Sequence, residues 1–283
     1  MAFLLALLSS ALWGSADFQA GRMSKKYQAF AVLGITQLIG LAFGIFLIFA
    51  TGERGAVAFG NDGFFSGYFW PGVFAGALGY IGLICLYVGL STGRMGVVSP
   101  ISSLGAVVPV MFALIGGEQL SRGRWVGVVI ALAGAFCASG PEISQGFPLK
   151  PVALAFGAAF GFGTALTLMG IGSDSSALMT MVMMRFTTFF VSLGIFAKYK
   201  TIGGLNVKHS PILIFIGVAD FLANLLLGVA TTKGNLTLAM VLGALYPIFT
   251  ALLAFQFLHE RLHKVQYIGI AAAVAGVAII SAF

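Results

Sequence analysis

Charged residues are scarce in this sequence. Asp, Glu, Lys and Arg make up 8% of its 283 residues, whereas hydrophobic residues make up 59%. A soluble globular domain carries about 25% charged residues, so this chain has too little polar surface to cover a soluble fold. The composition therefore predicts a protein that lies in a lipid bilayer.

Cysteines are also few. Cys85 and Cys137 both fall inside apolar runs, where a cysteine is typically a small buried hydrophobe. The net charge of +7 comes from basic residues spread over short links, which favours attraction to anionic headgroups and gives no support for a nucleic-acid partner. The sequence contains no serine triad, phosphate-binding glycine loop or cysteine metal cluster, so we expect no cofactor and no ATP site.

Long apolar runs are what the sequence does have. A hydrocarbon layer of roughly 30 Å requires about 20 apolar residues in a helix that rises about 1.5 Å per residue. The first run lacks a preceding basic segment, so we interpret it as a retained span rather than a signal peptide. We therefore predict an all-α membrane protein with ten transmembrane helices, at residues 2–20, 28–50, 69–91, 96–117, 123–140, 149–170, 176–197, 211–232, 236–257 and 264–282.

The chain repeats itself. Phe74–Gly93 aligns on Phe215–Gly234 without a gap. Because each half contains five spans, an odd number, the second half must enter the membrane in the opposite orientation. We therefore predict two inverted five-helix repeats, residues 1–140 and 141–283, around a central cavity, an arrangement typical of secondary transporters. The aligned pairs include Gly76 with Gly217, Gln37 with Arg185, Glu118 with Glu260, Gly127 with Gly269, and Gly134 with Gly276.

Several short motifs are spread along the two halves. They are Trp13-Gly14 in span one, Arg185-Phe186 in span seven, glycine-rich third and eighth spans, and Glu-x-Leu links at 118 and 260. Through these features, which extend over essentially the whole chain, the sequence resembles the EamA-type permeases of the drug/metabolite transporter superfamily. The resemblance implies a ten-helix bundle in the cell (inner) membrane that exports amino acids, drugs or other small metabolites by alternating access.

The orientation of the termini is left open by two conflicting signals. Of the fifteen Lys and Arg residues, ten fall in odd-numbered links, four in even-numbered links, and Arg185 inside a span. The positive-inside rule then places the odd-numbered links in the cytoplasm and both termini outside. The family resemblance implies the reverse, with cytoplasmic termini.

Three ionisable residues lie within the predicted spans, namely Asp17, Arg185 and Asp220. Each costs on the order of 2.5–3.5 kcal/mol to insert, so each needs a partner or a function. Asp220 and Asn224 share a helix face. Either both coordinate substrate and Asp220 exchanges a proton, or Asp220 is simply neutralised by Arg185. Asp17 either couples transport to protons, as the resemblance to small multidrug exporters implies, or lies at the interface.

Spans four and nine contain prolines, which weaken a helix locally. Such breaks in matched positions of two repeats predict a binding site near the membrane midplane, although a proline can also be a plain kink. Aromatic side chains in the same region can stack on a substrate or instead face lipid. We therefore predict a substrate site formed by Trp13, Tyr80, Ser99, Ser102, Ser103, Phe160, Asp220, Asn224 and Tyr246, with Asp17, Asp220 and Arg185 as candidate coupling residues.

Two alternatives belong to other classes. His259–His263 reads HERLH and matches the zinc-metalloprotease pattern, in which two histidines one turn apart bind zinc. However, Glu260 is already explained by its repeat partner Glu118, and no third ligand motif follows. A non-transporting membrane scaffold is the second alternative. Small residues at helical spacing in spans five and ten predict a close contact that braces the bundle or a homodimer.

Overall fold

A computed structural model describes residues 1–53, 55–92, 98, 101–139, 149–201, 203–258 and 263–283. Throughout this part of the chain the regular structure is helical, and it contains five helices long and apolar enough to cross a membrane. The helices are α1 (Ala2–Ser24), α2 (Ala29–Thr51), α3 (Phe69–Thr92), α4 (Val107–Ile115), α5 (Arg122–Ala138), α6 (Leu149–Tyr199), α7 (Ser210–Thr232), α8 (Leu236–Gly243), α9 (Tyr246–Leu258) and α10 (Lys264–Ala282).

The long helix α6 is a hairpin of two arms. As a straight helix its 51 residues would span about 77 Å, more than twice the thickness of a bilayer core. The backbone leaves helical geometry at Ser176, where φ is −164° and ψ is 116°. Helix α3 runs parallel to the second arm and antiparallel to the first, so the two arms run in opposite directions. The contacts that show this are Gly72 with Met183, Gly76 with Thr187, Gly79 with Ala165, Gly82 with Phe162 and Gly89 with Leu154.

Equivalent helices of the two halves make equivalent contacts. A Cβ on Gly76 would lie 2.6 Å from the carbonyl oxygen of Met184, and a Cβ on Gly217 would lie 2.6 Å from that of Thr36. These contacts join α3 to the second arm of α6, and α7 to α2. They follow the register of the sequence alignment, in which Gly76 pairs with Gly217 and residue 37 with residue 185.

Helices α5 and α10 pack on each other through backbone contact. A Cβ on Gly134 would lie 2.4 Å from the amide nitrogen of Ala273, and a Cβ on Gly276 would lie 2.5 Å from that of Ala131. Partners on α10 fall in number as residues on α5 rise, so the helices are antiparallel. Small residues thus serve the close approach that such positions favour in membrane proteins, and they do so within one chain.

The two ends of the bundle are held by different polar contacts. At one end, here called the α1–α2 face, the link after α1 meets the link after α6, where the Tyr27 hydroxyl lies 2.7 Å from Nε2 of His209. At the other end, the α2–α3 face, Ser176 Oγ donates to Glu53 Oε1 at 2.7 Å. Also at the α2–α3 face, Glu118 Oε2 accepts a 3.3 Å hydrogen bond from the amide of Thr237 in the first turn of α8.

The apolar core lies nearer the α2–α3 face. Its largest side chains are at most 1% exposed and come from both arms of α6 and from α7 and α8: Met169, Met181, Phe221, Leu227, Leu238, Met240 and Leu242. This packed layer closes the α2–α3 end of the bundle. The opposite half of the interior is open enough to hold a cavity.

Candidate functional site: a central cavity

A cavity of about 250 Å³ lies between the helices. It extends to Ala20 and Val32, each about one helical turn from the α1–α2 face. At its other end it meets Leu227 and Met240 of the packed layer. The described wall therefore places the cavity toward the α1–α2 face and closes it toward the α2–α3 face.

An ion pair crosses the cavity wall. Arg185 Nη2 lies 2.7 Å from Asp220 Oδ2 and donates a hydrogen bond to it. The other terminal nitrogen, Nη1, donates to Gln37 Oε1 at 2.8 Å, and that oxygen also accepts from Thr188 Oγ1 at 3.0 Å. The Arg185 side chain is 8% exposed and the Asp220 side chain 27% exposed. The guanidinium is thus held by fixed partners, as a charge removed from water requires.

The second oxygen of the Asp220 carboxylate is held by an aromatic ring. Trp13 Nε1 donates to Asp220 Oδ1 at 3.1 Å, and the Trp13 ring makes an edge contact with Tyr246 at 6.1 Å between ring centroids. Asn224 Nδ2 donates to the Asp220 backbone carbonyl at 2.7 Å. Asp220 therefore connects α1, α7 and the second arm of α6 at one level of the bundle.

Asp17 differs from Asp220 because it has no such partners within the described ranges. It lines the cavity, and its side chain is exposed there. Among the described residues it makes no hydrogen bond and no ion pair. Because it follows Trp13 by four residues on α1, Asp17 lies on the same helix face, one turn closer to the α1–α2 face.

Both proline-containing spans are interrupted beside the cavity. Pro109 and Pro247 cannot donate the helical bonds to the carbonyls four residues earlier, which belong to Gly105 and Gly243. Span four forms a 3-10 turn at Leu104–Ala106, and span nine is divided into α8 and α9. Ser10 Oγ of α1 donates to two backbone carbonyls near this break. One belongs to Leu242 and the other, at 2.8 Å, to Gly243. In the gapless register of the preceding spans, the two breaks fall within about one residue of each other.

The structure brings most of the predicted site residues together. Tyr80 is 2% exposed and lines the cavity, with its hydroxyl 3.2 Å from Ser192 Oγ. Ser102 donates to the carbonyl of Val98 at 2.8 Å, and Ser103 also lines the cavity. Ser99 lies outside the described residues. The full set of predicted residues on the wall is Trp13, Asp17, Tyr80, Ser102, Ser103, Arg185, Asp220, Asn224 and Tyr246.

Phe160 differs from the expectation. It is 65% exposed and lies apart from the cavity wall, whereas Phe162, two residues further, lines it. Two residues correspond to about 200° around a helix, so the two rings point to nearly opposite sides. Sequence reasoning also missed the contributions of α2, although Gln37, a polar residue in an apolar span aligned on Arg185, was a usable signal.

The HERLH segment falls largely outside the described part of the chain, which omits His259, Glu260, Arg261 and Leu262. His263 is described, and at the N-cap of α10 its backbone N–H donates to Gln266 Oε1 at 3.0 Å. Within the described ranges no three His, Cys, Asp or Glu side chains are grouped as metal ligands.

A helical bundle with apolar spans around a cavity that contains charged and polar side chains has the form of a membrane transport protein. The sequence profile of the EamA-like transporter family matches residues 1–140 and, a second time, residues 149–282. The chain belongs to this family and is a multi-pass membrane protein of the drug/metabolite transporter superfamily.

Structural comparison gives the same fold at low sequence identity. A solved structure titled "Crystal structure of protein" is 18% identical, covers 99% of this chain and 96% of its own, and superposes with a TM-score of 0.80. This likeness shows the fold alone. No curated protein matches the sequence.

Proposed function

We propose that this protein is a secondary transporter that exports small organic metabolites, such as amino acids or drug-like solutes, across the cell (inner) membrane. Ten transmembrane helices would form two inverted repeats, residues 1–140 and 141–283. The observation that carries the proposal is a cavity that contains charged and polar side chains and is closed toward one face. It lies between antiparallel helices that pack equivalently in the two halves. A cavity open to one side at a time is the requirement of alternating access.

Equivalent contacts in the two halves support the exchange between access states. If the halves exchange conformations, the cavity closes at the α1–α2 face and opens at the α2–α3 face. Opening at the α2–α3 face would separate Glu118 from Thr237 and Ser176 from Glu53. Cytoplasmic termini, as the family resemblance implies, would make the present cavity outward-open.

The substrate would lie between the broken spans. Asp220 and Asn224 supply polar contacts, Trp13, Tyr80 and Tyr246 supply aromatic surface, and Ser102 and Ser103 supply hydroxyls. Burial of Arg185 by its partners favours a structural role for that side chain, which holds Asp220 in place. Thr36 and Thr188 complete the polar wall.

A proton is a candidate coupling ion, and Asp17 is better placed than Asp220 to carry it. Asp220 is ion-paired with Arg185, whereas Asp17 has no such partner in the described part of the chain. The other titratable groups on the described cavity wall are Asp220, Arg185, Tyr80 and Tyr246. Loading of Asp17 with a proton in one access state and its release in the other would link flux to a pH gradient.

Solute flux into proteoliposomes, measured across a panel of amino acids and drug-like solutes, tests the proposal. We expect flux of at least one solute, its loss in Asp220→Asn, and normal flux in the control Asp62→Asn, because Asp62 is exposed in the link between α2 and α3. Absence of flux for every solute would contradict transport, and zinc-dependent proteolysis abolished by His259→Ala would favour the protease alternative. A pH gradient that leaves flux unchanged would remove the proton step.

A further inference from the structure

We infer that the substrate of this cavity is a small organic cation whose charged group is bound by the carboxylate of Asp17. The inference rests on the proposed transport function and narrows its substrate class. It comes from the charges that face the cavity, from the partners these charges already have, and from the nature of the remaining surface.

The charges on the described wall do not balance. They are those of Asp17, Arg185 and Asp220, so two carboxylates face one guanidinium. Arg185 and Asp220 are joined at 2.7 Å and neutralise each other. On the described wall the Asp17 carboxylate is left without an ion-pair partner, and it is exposed to a cavity whose surface is mostly apolar. An uncompensated charge in such a place is costly, and either a proton or a bound cation removes that cost.

The same partners make a substrate carboxylate a poor fit. The guanidinium of Arg185 already donates to Asp220 and to Gln37, and the residue is 7% exposed. A zwitterionic amino acid would place its carboxylate near Asp17 and Asp220, with no free cation among the described wall residues to receive it. The cavity therefore favours a molecule that carries positive charge alone.

The surface around Asp17 favours an organic cation over a metal ion. Hard metal cations take about six oxygen ligands, whereas the cavity-lining neighbours of Asp17 on its own helix are Trp13, Ala16 and Ala20. Rings of Trp13, Tyr80 and Tyr246 line the same cavity, and aromatic faces attract organic ammonium groups. The volume of about 250 Å³ is just below the usual range of ligand pockets, which limits the occupant to a small molecule.

Four probes with one phenyl-ethyl body but different charge test the inference. They are trimethyl(2-phenylethyl)ammonium, phenylalanine, 2-phenylethanol and 3-phenylpropionate, and their affinities are measured by calorimetry on the purified full chain. We expect the ammonium ion to bind most tightly. Asp17→Asn should weaken its binding by about tenfold or more and leave 2-phenylethanol unchanged, which also shows that the variant cavity is intact.

Two variants serve as controls. Asp62→Asn makes the same chemical change outside the cavity and should leave all four affinities unchanged, and Asp17→Glu should retain the preference for the cation. Equal or tighter binding of phenylalanine or 3-phenylpropionate would overturn the inference, as would an equal loss of all four probes in Asp17→Asn.

Flux of the same probes separates this inference from the proposed function. Transport without a preference for the cation would overturn the substrate class and leave transport standing. Binding of the cation without flux of any solute would overturn transport and leave the binding site standing.

Discussion

The contact between α5 and α10 offers a sharp test of the packing on which the proposed repeats depend. In Gly134→Ala, the added Cβ would lie 2.4 Å from the amide nitrogen of Ala273 and 2.7 Å from the carbonyl oxygen of Gly269. Ordinary contact begins at 3.4 Å, so the helices must move apart by about 1 Å. Both opposing atoms are backbone and cannot rotate away. Overpacking of this kind costs about 1–3 kcal/mol.

A matched pair of variants isolates this effect. Gly276→Ala makes the equivalent contact from α10, with its Cβ 2.5 Å from the amide of Ala131, and should cost a similar amount. Gly194→Ala, in the second arm of α6, is the control. Its added Cβ would meet no heavy atom within 4 Å apart from the backbone of its own helix. Alanine is favoured over glycine in a helix interior by about 0.5–1 kcal/mol. The control should therefore be as stable as the parent or slightly more stable.

The assay is the midpoint of thermal unfolding in detergent, followed as the monodisperse fraction on size exclusion after heating. We expect both contact variants to have lower midpoints than the parent, and Gly194→Ala to match or exceed it. Equal midpoints for Gly134→Ala and Gly194→Ala would refute the close antiparallel contact. A loss confined to one of the two contact variants would refute its symmetry.

Three further predictions concern polar contacts and use the same thermal assay. Arg185→Gln strands Asp220 without its partner and should cost about 3–5 kcal/mol, whereas the double variant with Asp220→Asn should recover part of the loss; no recovery would contradict the pairing. Trp13→Phe keeps an aromatic ring but removes the donor to Asp220, with an expected cost of about 1.5–3 kcal/mol, and an unchanged midpoint would exclude that hydrogen bond. Glu118→Gln removes a negative charge beside the amide of Thr237 at the start of α8, for which we expect a loss of about 0.3–2 kcal/mol; a gain would show that the charge does not stabilise this helix end.

The register of the duplication could be predicted from the sequence because glycine marks the close approaches. Gly76 and Gly217 were paired by alignment, and each lies against the backbone of the helix that the same alignment makes equivalent. A Cβ is excluded at both positions by a carbonyl oxygen. Glycines at such positions therefore indicate where helices pack closely, even in spans that are apolar on every side.

It was harder to predict which side chains in such spans face the protein interior and which face lipid. In a soluble helix the polar face identifies the buried face, but a membrane helix is apolar toward both lipid and protein. Phe160 and Phe162 are chemically identical, and the residues around them do not separate the two faces. Spans 149–170 and 176–197 were predicted as separate, and the backbone leaves helical geometry at Ser176. The partners of Gln37, in contrast, depend on contacts across the whole chain.

The helix packing is repeated in the two halves, but the charged residues are not. In the alignment of the halves, Asp17 corresponds to Thr164, Asp220 to Gly79 and Arg185 to Gln37, so each charged residue on the described wall has an uncharged equivalent. Exchange of conformations between the halves can therefore move the opening from one face to the other without creating a second charged site. If the halves do exchange in this way, a substrate held at Asp17 meets the same carboxylate in both access states. This combination of a repeated scaffold and a single set of charges would allow one central site to serve both sides of the membrane.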